Sequence, residues 1–277
     1  MKLELKNVNA KAGNFELKNI SFEAQTGSFF SIVGPTGSGK STLLKAIAGI
    51  AAIDKGEVFL GEDKITNMPP EKRGVGFVFQ DSALFPHLNV FENVAFGLRV
   101  RKEKNVEEKV KETLGLTGLK GFEKRNVQNL SGGEKKLVAI ARAIAFAPKL
   151  LLLDEPLAGL DARLREKLKR QIKELQESLG VTTLYVTHDI DEAFFLSDKI
   201  MVLNNGKIEQ VGAPKEIFLS PKTAFVKEFV SDYSLVKARV EKKGGKKVLS
   251  ARLEAETSQE EGNGFVNVKK NNFRKEN

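Results

Sequence analysis

Apolar and polar positions follow two rhythms along this chain, and the changes between them mark its elements. "KLELKNVN" and "NFELKNISFEA" alternate with period two, which predicts half-exposed antiparallel strands. "SFFSIV" (28–33) is a denser apolar run and reads as a buried strand. A glycine-rich turn follows, and then "KSTLLKAIAGI" places its apolar residues at helical spacing. "GVGFVFQ" (74–80) is a further buried strand. From about Asn89 the pattern turns helical and more polar, with Val106, Val110 and Leu114 on one face of a helix. Ser131 with Glu134 three residues on is a capping box and sets a helix start. "LLLLD" after Pro148 suits a parallel strand covered on both faces.

Leu164, Leu168, Ile172, Leu175 and Leu179 stripe a helix that stops at Gly180. "TTLYVT" is a β-branched strand, and "KIMVLNNGKIEQVG" is two strands around an Asn205-Gly206 turn. "APKEIFLS" and "PKTAFVKEFV" read as short helices. After Asp232 the alternation "SLVKARVEKK…KKVLSARLEAE" predicts a small β appendage, with "EKKGGKK" as its turn and "NNFRKEN" as a frayed end. The fold class is therefore α/β: a mostly parallel sheet, an N-terminal antiparallel β subdomain, a helical subdomain over about 89–148 and a C-terminal β appendage. The domain reading is 1–232 for the main body and 233–277 for the appendage. No repeat of 20 to 50 residues is evident.

Composition narrows the chemistry by exclusion. There is no cysteine, and the histidines are only His87 and His188, so disulfides, thiolate metal sites and histidine-rich metal centres are ruled out. No stretch approaches the ~18 continuous apolar residues of a membrane span, and "MKLELKNVNA" lacks a signal-peptide core, so the expectation is a soluble, cytoplasmic chain. The net charge of +9 is interspersed with acids and carries few aromatics. It reads as solvated surface, with no nucleic acid partner.

"GPTGSGKST" supplies the first chemistry. Gly34, Gly39, Lys40 and Ser41 fit G-x-x-x-x-G-K-[ST] between a predicted strand and a predicted helix. Gly34, Pro35, Thr36, Gly37, Ser38, Gly39, Lys40, Ser41 and Thr42 would cradle phosphates with inward N–H groups, the Lys40 charge and a helix N-terminus. Ser41 offers a hydroxyl to magnesium. Ligands of open parallel sheets bind outside the carboxyl ends of the strands, so Asp154 at the end of "LLLLD" would face the same ion, through water. Glu155, one residue on, would orient and deprotonate an attacking water at the terminal phosphate.

"LSGGE" (130–134), "LLLLDEP", "AGLD" (158–161) and "VTHD" (186–189), in this order after the phosphate loop, resemble the ATP-binding cassette (ABC) ATPase family over residues 1 to about 230. The resemblance implies a P-loop NTPase core that binds ATP and Mg2+. It makes Ser131, Gly132 and Gly133 a signature motif that grips ATP held by another subunit, in a head-to-tail homodimer. It assigns Gln80 to magnesium and the attacking water, His188 to the γ-phosphate, and Asp161 to a contact across the dimer. Asp161 reads equally as a plain helix N-cap. Glu134 departs from the glutamine common in the family. The family's adenine-stacking aromatic is missing near Lys11 and Ala12, where Phe15 is either its substitute or a core residue of its strand.

"QDSALFPHLNVFENVAFGL" (80–98) and the β tail are similar to importer subunits, most of all molybdate or tungstate importers. Importers of sulfate, polyamine, iron or sugar remain as alternatives. This implies two integral membrane permease subunits, an extracytoplasmic solute-binding protein and a place at the cytoplasmic face of the membrane. A soluble cassette of DNA repair or ribosome work would carry a long coiled-coil insertion, zinc-binding cysteines or two cassettes, and the sequence has none of these. A regulator without turnover is disfavoured by the presence of Gln80, Glu155 and His188.

Overall fold

The structure is a computed structural model. It describes residues 1–231 and, beyond them, the backbone of strands at 233–243, 246–251 and 264–269. The chain divides into two compact units, Met1–Pro214 and Lys215–Asn277.

In the first unit, β1 (Leu3–Ala12) and β2 (Phe15–Ala24) form the hairpin that the period-two pattern predicts. Two strands with no clear alternation join them: β4 (Ile53–Leu60), which pairs with β1, and the short β5 (Asp63–Lys64). The central sheet holds β3 (Phe29–Val33), β6 (Val75–Val78), β7 (Leu150–Asp154), β8 (Thr182–Val186), β9 (Lys199–Asn204) and β10 (Lys207–Gly212), in the order β10-β9-β3-β8-β7-β6. All its pairs are parallel except β10 on β9. That one antiparallel pair follows from the Asn205-Gly206 turn, whose residues sit at φ 44° and 73° as a primed hairpin requires.

The helices are α1 (Lys40–Ala48), α2 (Val90–Val100), α3 (Val106–Leu116), α4 (Gly132–Ile144), α5 (Ala162–Leu179) and α6 (Ile190–Leu196). The Ser131–Glu134 capping box is formed. So is a second one, Asn89–Glu92, at the start of α2, which the same N-x-x-E signature could have revealed. The α5 stripe ends at Gly180 in the left-handed conformation, with Leu168, Ile172 and Leu175 buried but Leu179 exposed in the last turn.

Burial sorts into three cores. The first joins β1, β2, β4 and α1 to β3, β7, β8 and β9. The second packs α5 and one side of α4 against the other face of the sheet, and the third closes α2, α3 and the opposite side of α4. α4 thus belongs to two cores at once. Ala139, Ile140, Ala143 and Ile144 serve one, and Val138, Ala141 and Ala145 at its C-terminal end serve the other. In the second unit, α7 (Pro214–Leu219, whose first residue precedes the break) and α8 (Ala224–Phe229) lead to a sheet of β11 (Tyr233–Lys243), β12 (Lys246–Ala251) and β13 (Gly264–Lys269), in the order β12-β11-β13. The predicted turn glycines Gly244 and Gly245 and the stretch "NNFRKEN" lie outside the described residues.

Arg73 is buried and, among the described residues, has no acidic partner. The Arg73 guanidinium donates to the carbonyls of Ala46 (3.1 Å) and Ile47 (2.8 Å) at the end of α1. It also donates to those of Thr66 (2.8 Å) and Met68 (2.7 Å). Orphan carbonyls at a helix C-terminus need such donors, and a cation there also suits the helix dipole. Arg73→Met should lower the free energy of unfolding by about 2–4 kcal/mol, because several buried acceptors lose their donor. Urea denaturation measures this, and a loss below about 1 kcal/mol would mean that water replaces the guanidinium.

Candidate nucleotide site

The site gathers where the parallel strands end. The ladder runs past the last strand residues: Glu155 N–H donates to Val186 O (3.0 Å) and Thr187 N–H to Ile32 O (3.2 Å). These bonds fix where β3, β7 and β8 hand over to the loops bearing Lys40, Glu155 and His188.

After β3 the chain turns through Gly34 at φ 154°, where a Cβ would meet Leu203 O at 2.0 Å, so only glycine fits. Pro35, Thr36 and Gly37 are exposed at the bend, Ser38, Gly39 and Lys40 are buried, and Ser41 and Thr42 are half-buried at the start of α1. Lys40 Nζ donates to the carbonyls of Gly34 and Pro35, 2.9 Å each. Burial lowers the Lys40 pKa, while Glu155 and Asp154 push it back up. The Ser38 hydroxyl is buried without a hydrogen-bond partner among the described residues, an atom left for a ligand to satisfy. A phosphate oxygen fits it, since the N-terminus of α1 and the Lys40 ammonium face the same cradle.

Asp154, the buried last residue of β7, accepts a 2.8 Å hydrogen bond from Ser41 Oγ. Its pKa is raised, first by burial and against the pull of the Ser41 hydrogen bond. Two oxygens from two elements at one point suit a hard cation that keeps several waters, which fits magnesium.

Glu155 stands at φ 43°, a left-handed conformation that costs a non-glycine residue about 1–3 kcal/mol. The distortion turns its carboxylate out of the strand direction and towards two neighbours. Gln80 Nε2 donates to Glu155 Oε2 at 3.4 Å, and His188 Nδ1 lies 3.2 Å from the same oxygen. Gln80 and His188 are exposed and Glu155 is half-buried, so this trio faces open space. His87, given no role from the sequence, is also exposed and lies beside the Phe85 ring.

Ser131, Gly132 and Asp161 form a separate set. Ser131 caps α4, and its N–H and hydroxyl both donate to Glu134 Oε2 (2.8 and 2.7 Å). The Glu134 carboxylate is thus held in the cap, and the hydrogen bond from the Ser131 hydroxyl keeps it below the usual carboxylate range. Gly133 is buried, with Leu164 of α5 filling the space a Cβ would need. Asp161 caps α5 by accepting from Leu164 N–H at 3.0 Å. Ser131, Gly132 and Asp161 are all exposed. Phe15, left open from the sequence, packs its ring beside Gly39 and against the first core.

One network near the site is not marked by the local sequence pattern. Glu192 of α6 accepts from Tyr185 OH (2.7 Å) and Thr187 Oγ1 (2.8 Å), and Thr187 Oγ1 accepts from Asp189 N–H (3.0 Å). All but Asp189 are buried, and together they fix the turn carrying His188. The buried polar tyrosine at the end of β8 is the one sequence signal.

Residues 17–158, about half the chain, match the sequence model of the family described as ABC transporter. The chain belongs to the ABC transporter family. This ABC cassette is 48% identical over 231 residues to the spermidine/putrescine import ATP-binding protein PotA of Clostridium acetobutylicum. The match covers 82% of the chain and 66% of that relative, so the chain spans just under two thirds of the relative's length. Among solved structures, it resembles the dimeric post-hydrolysis state of the ATP-binding cassette MJ0796 bound to ADP and Pi (TM-score 0.67, 34% identity). A second dimeric structure of MJ0796, a bacterial ABC transporter cassette, has a TM-score of 0.68 at 33% identity. Each match covers 76% of this chain and 98% of the other. The P-loop NTPase architecture expected from the sequence is therefore present.

Ser38→Ala should leave the unfolding free energy within about 0.5 kcal/mol of the parent, since the hydroxyl has no protein partner to lose. ATP affinity should fall by about five- to tenfold. Calorimetric titration decides it: unchanged affinity would show that the hydroxyl does not face phosphate.

Proposed function

We propose that this cassette is the ATP-hydrolysing, nucleotide-binding subunit of an import complex. The observation that carries the reading is the meeting of Gln80, Glu155 and His188 at the strand ends that also hold Lys40, Ser41 and Asp154. A family of cassettes and a P-loop architecture make ATP the substrate that this geometry suits.

In this reading residues 34–42 bind the phosphates through backbone N–H groups, Ser38 Oγ and the Lys40 charge. Ser41, Asp154 and Gln80 would hold magnesium, which when bound neutralises phosphate charge and polarises the bond that breaks. Glu155 positions a water and takes its proton, and Gln80 and His188 orient the carboxylate from either side. His188 also reaches the γ-phosphate.

A single chain leaves Ser131, Gly132 and Asp161 facing solvent. We infer that they complete the site of a second copy, head to tail, with the α4 N-terminus on that copy's nucleotide. Support comes from the two dimeric MJ0796 structures. ATP binding would favour the closed dimer and hydrolysis the open one, and that differential affinity is what drives partner subunits. Among the described residues no helix is long and apolar enough to cross a membrane. Transport would therefore run through two permease subunits, with a solute-binding protein outside and the cassette on the cytoplasmic face. The 233–277 appendage would serve as a small accessory domain.

For the solute, a polyamine is the reading with support, because PotA is named for spermidine and putrescine import. The molybdate or tungstate expectation rested on short motifs and finds no counterpart among these relatives. The cassette does not touch the solute, so the reading is tested on the assembled complex. Solute-binding protein loaded with spermidine should stimulate its ATPase, and stimulation by molybdate alone would reverse the choice.

Glu155→Gln should reduce turnover by about a thousandfold or more while trapping a dimer with ATP. If size-exclusion chromatography finds that variant only as a monomer in ATP, the shared site is wrong. Lys40→Ala should weaken ATP binding itself, and unchanged affinity would remove the phosphate-loop assignment.

A further inference from the structure

The segment after Gln80 is strained. Ser82 and Ala83 stand at φ 67° and 43°, two consecutive non-glycine residues in the left-handed region. Such a conformation persists only where the surroundings hold it. Here the holding groups come from one helix, α4. Lys136 is buried and its Nζ donates to the carbonyl of Gln80. Arg142 donates to Ala83 O at 2.7 Å and to Ser82 O at 3.0 Å. The carbonyls of Gln80, Ser82 and Ala83 thus point at cations of α4, and Ser82 N–H closes the turn on Phe79 O at 2.9 Å. α4 cannot easily yield, because its two sides are packed into separate cores.

We propose that Lys136 is a positioning residue for ATP hydrolysis: with Arg142 it clamps residues 80–83 to α4 and so sets the Gln80 side chain against Glu155. The helix that presents Ser131 and Gly132 at its N-terminus therefore also fixes the loop that orients the catalytic carboxylate. A nucleotide seated on that N-terminus and the alignment of the helix's own Gln80 are joined by one rigid element. The inference rests on the ATPase reading above, and its test has one readout that does not.

The test uses the full chain as wild type, Lys136→Met, Gln80→Ala and the double variant, with Lys136→Gln as the conservative change that keeps an N–H donor. Amide hydrogen exchange is the readout independent of turnover. In Lys136→Met the Ser82 amide should exchange at least tenfold faster while the melting temperature stays within a few degrees. Unchanged Ser82 exchange overturns the clamp whatever the activity. In ATPase assays, Lys136→Met should lower kcat about tenfold with little change in KM, and Lys136→Gln should recover most of it. The double variant should be no slower than Gln80→Ala, because residues that act through one another are not additive. Multiplying losses, or a KM that rises in step with the fall in kcat, would reduce Lys136 to a structural residue. If Lys136→Met does not fold, Lys136→Leu carries the same cycle: non-additive losses support the clamp and multiplying losses overturn it. Absence of any turnover sensitive to Glu155→Gln in the wild type would instead defeat the ATPase reading and leave the clamp to stand or fall on the exchange result.

Discussion

The buried parallel ladder of β3, β8 and β7 is the constraint on which the rest depends. Every residue of these strands is buried, so their N–H and C=O groups must find partners within the protein, chiefly on neighbouring strands. Register is therefore fixed, with Ile32 against Val186 and Asp154 against Val186 from the other side. Because all three strands run the same way, three loops must leave the sheet at one edge. The glycine-rich loop of residues 34–42, the Asp154–Glu155 pair and the His188 turn are neighbours for that reason, although they lie far apart in the chain.

Burial gives the site its electrostatic character. Lys40 and Asp154 are both withdrawn from water and both shifted towards their neutral forms by that withdrawal. Each stands to recover interaction energy from a ligand of opposite charge, an anionic phosphate for one and a cation for the other. Glu155 differs in being held in a strained backbone conformation and half open to solvent, which leaves its carboxylate accessible. The site is thus built from groups that the fold has not fully satisfied, the Ser38 hydroxyl among them.

α4 ties this centre to its surroundings. It starts at the Ser131 cap, lends Lys136 and Arg142 to the Gln80 loop and divides its apolar residues between the sheet and the α2–α3 subdomain. A displacement at its first turn cannot be absorbed locally without disturbing two packed cores. The turn bearing His188 is stiffened in a different way, by buried hydrogen bonds converging on Glu192.

By itself the sequence determined what local pattern and short-range chemistry control. The hairpins, the buried strands, the α5 stripe ending at Gly180, the Ser131 cap and the phosphate loop are all set by residues within a few positions of one another. It did not mark β4, whose "IDKGEVFL" is broken by glycine and charge and becomes a strand only through pairing with β1. Nor did it mark Arg73, Lys136 or Arg142, which look like surface cations until carbonyls from distant segments surround them. The Gln80–Glu155–His188 grouping was expected from family resemblance, yet its geometry exists only because the parallel register aligns the ends of separate strands. Local residues decide which elements form; which side chains meet is decided by long-range backbone pairing and by the burial of charges against carbonyls far away in the chain.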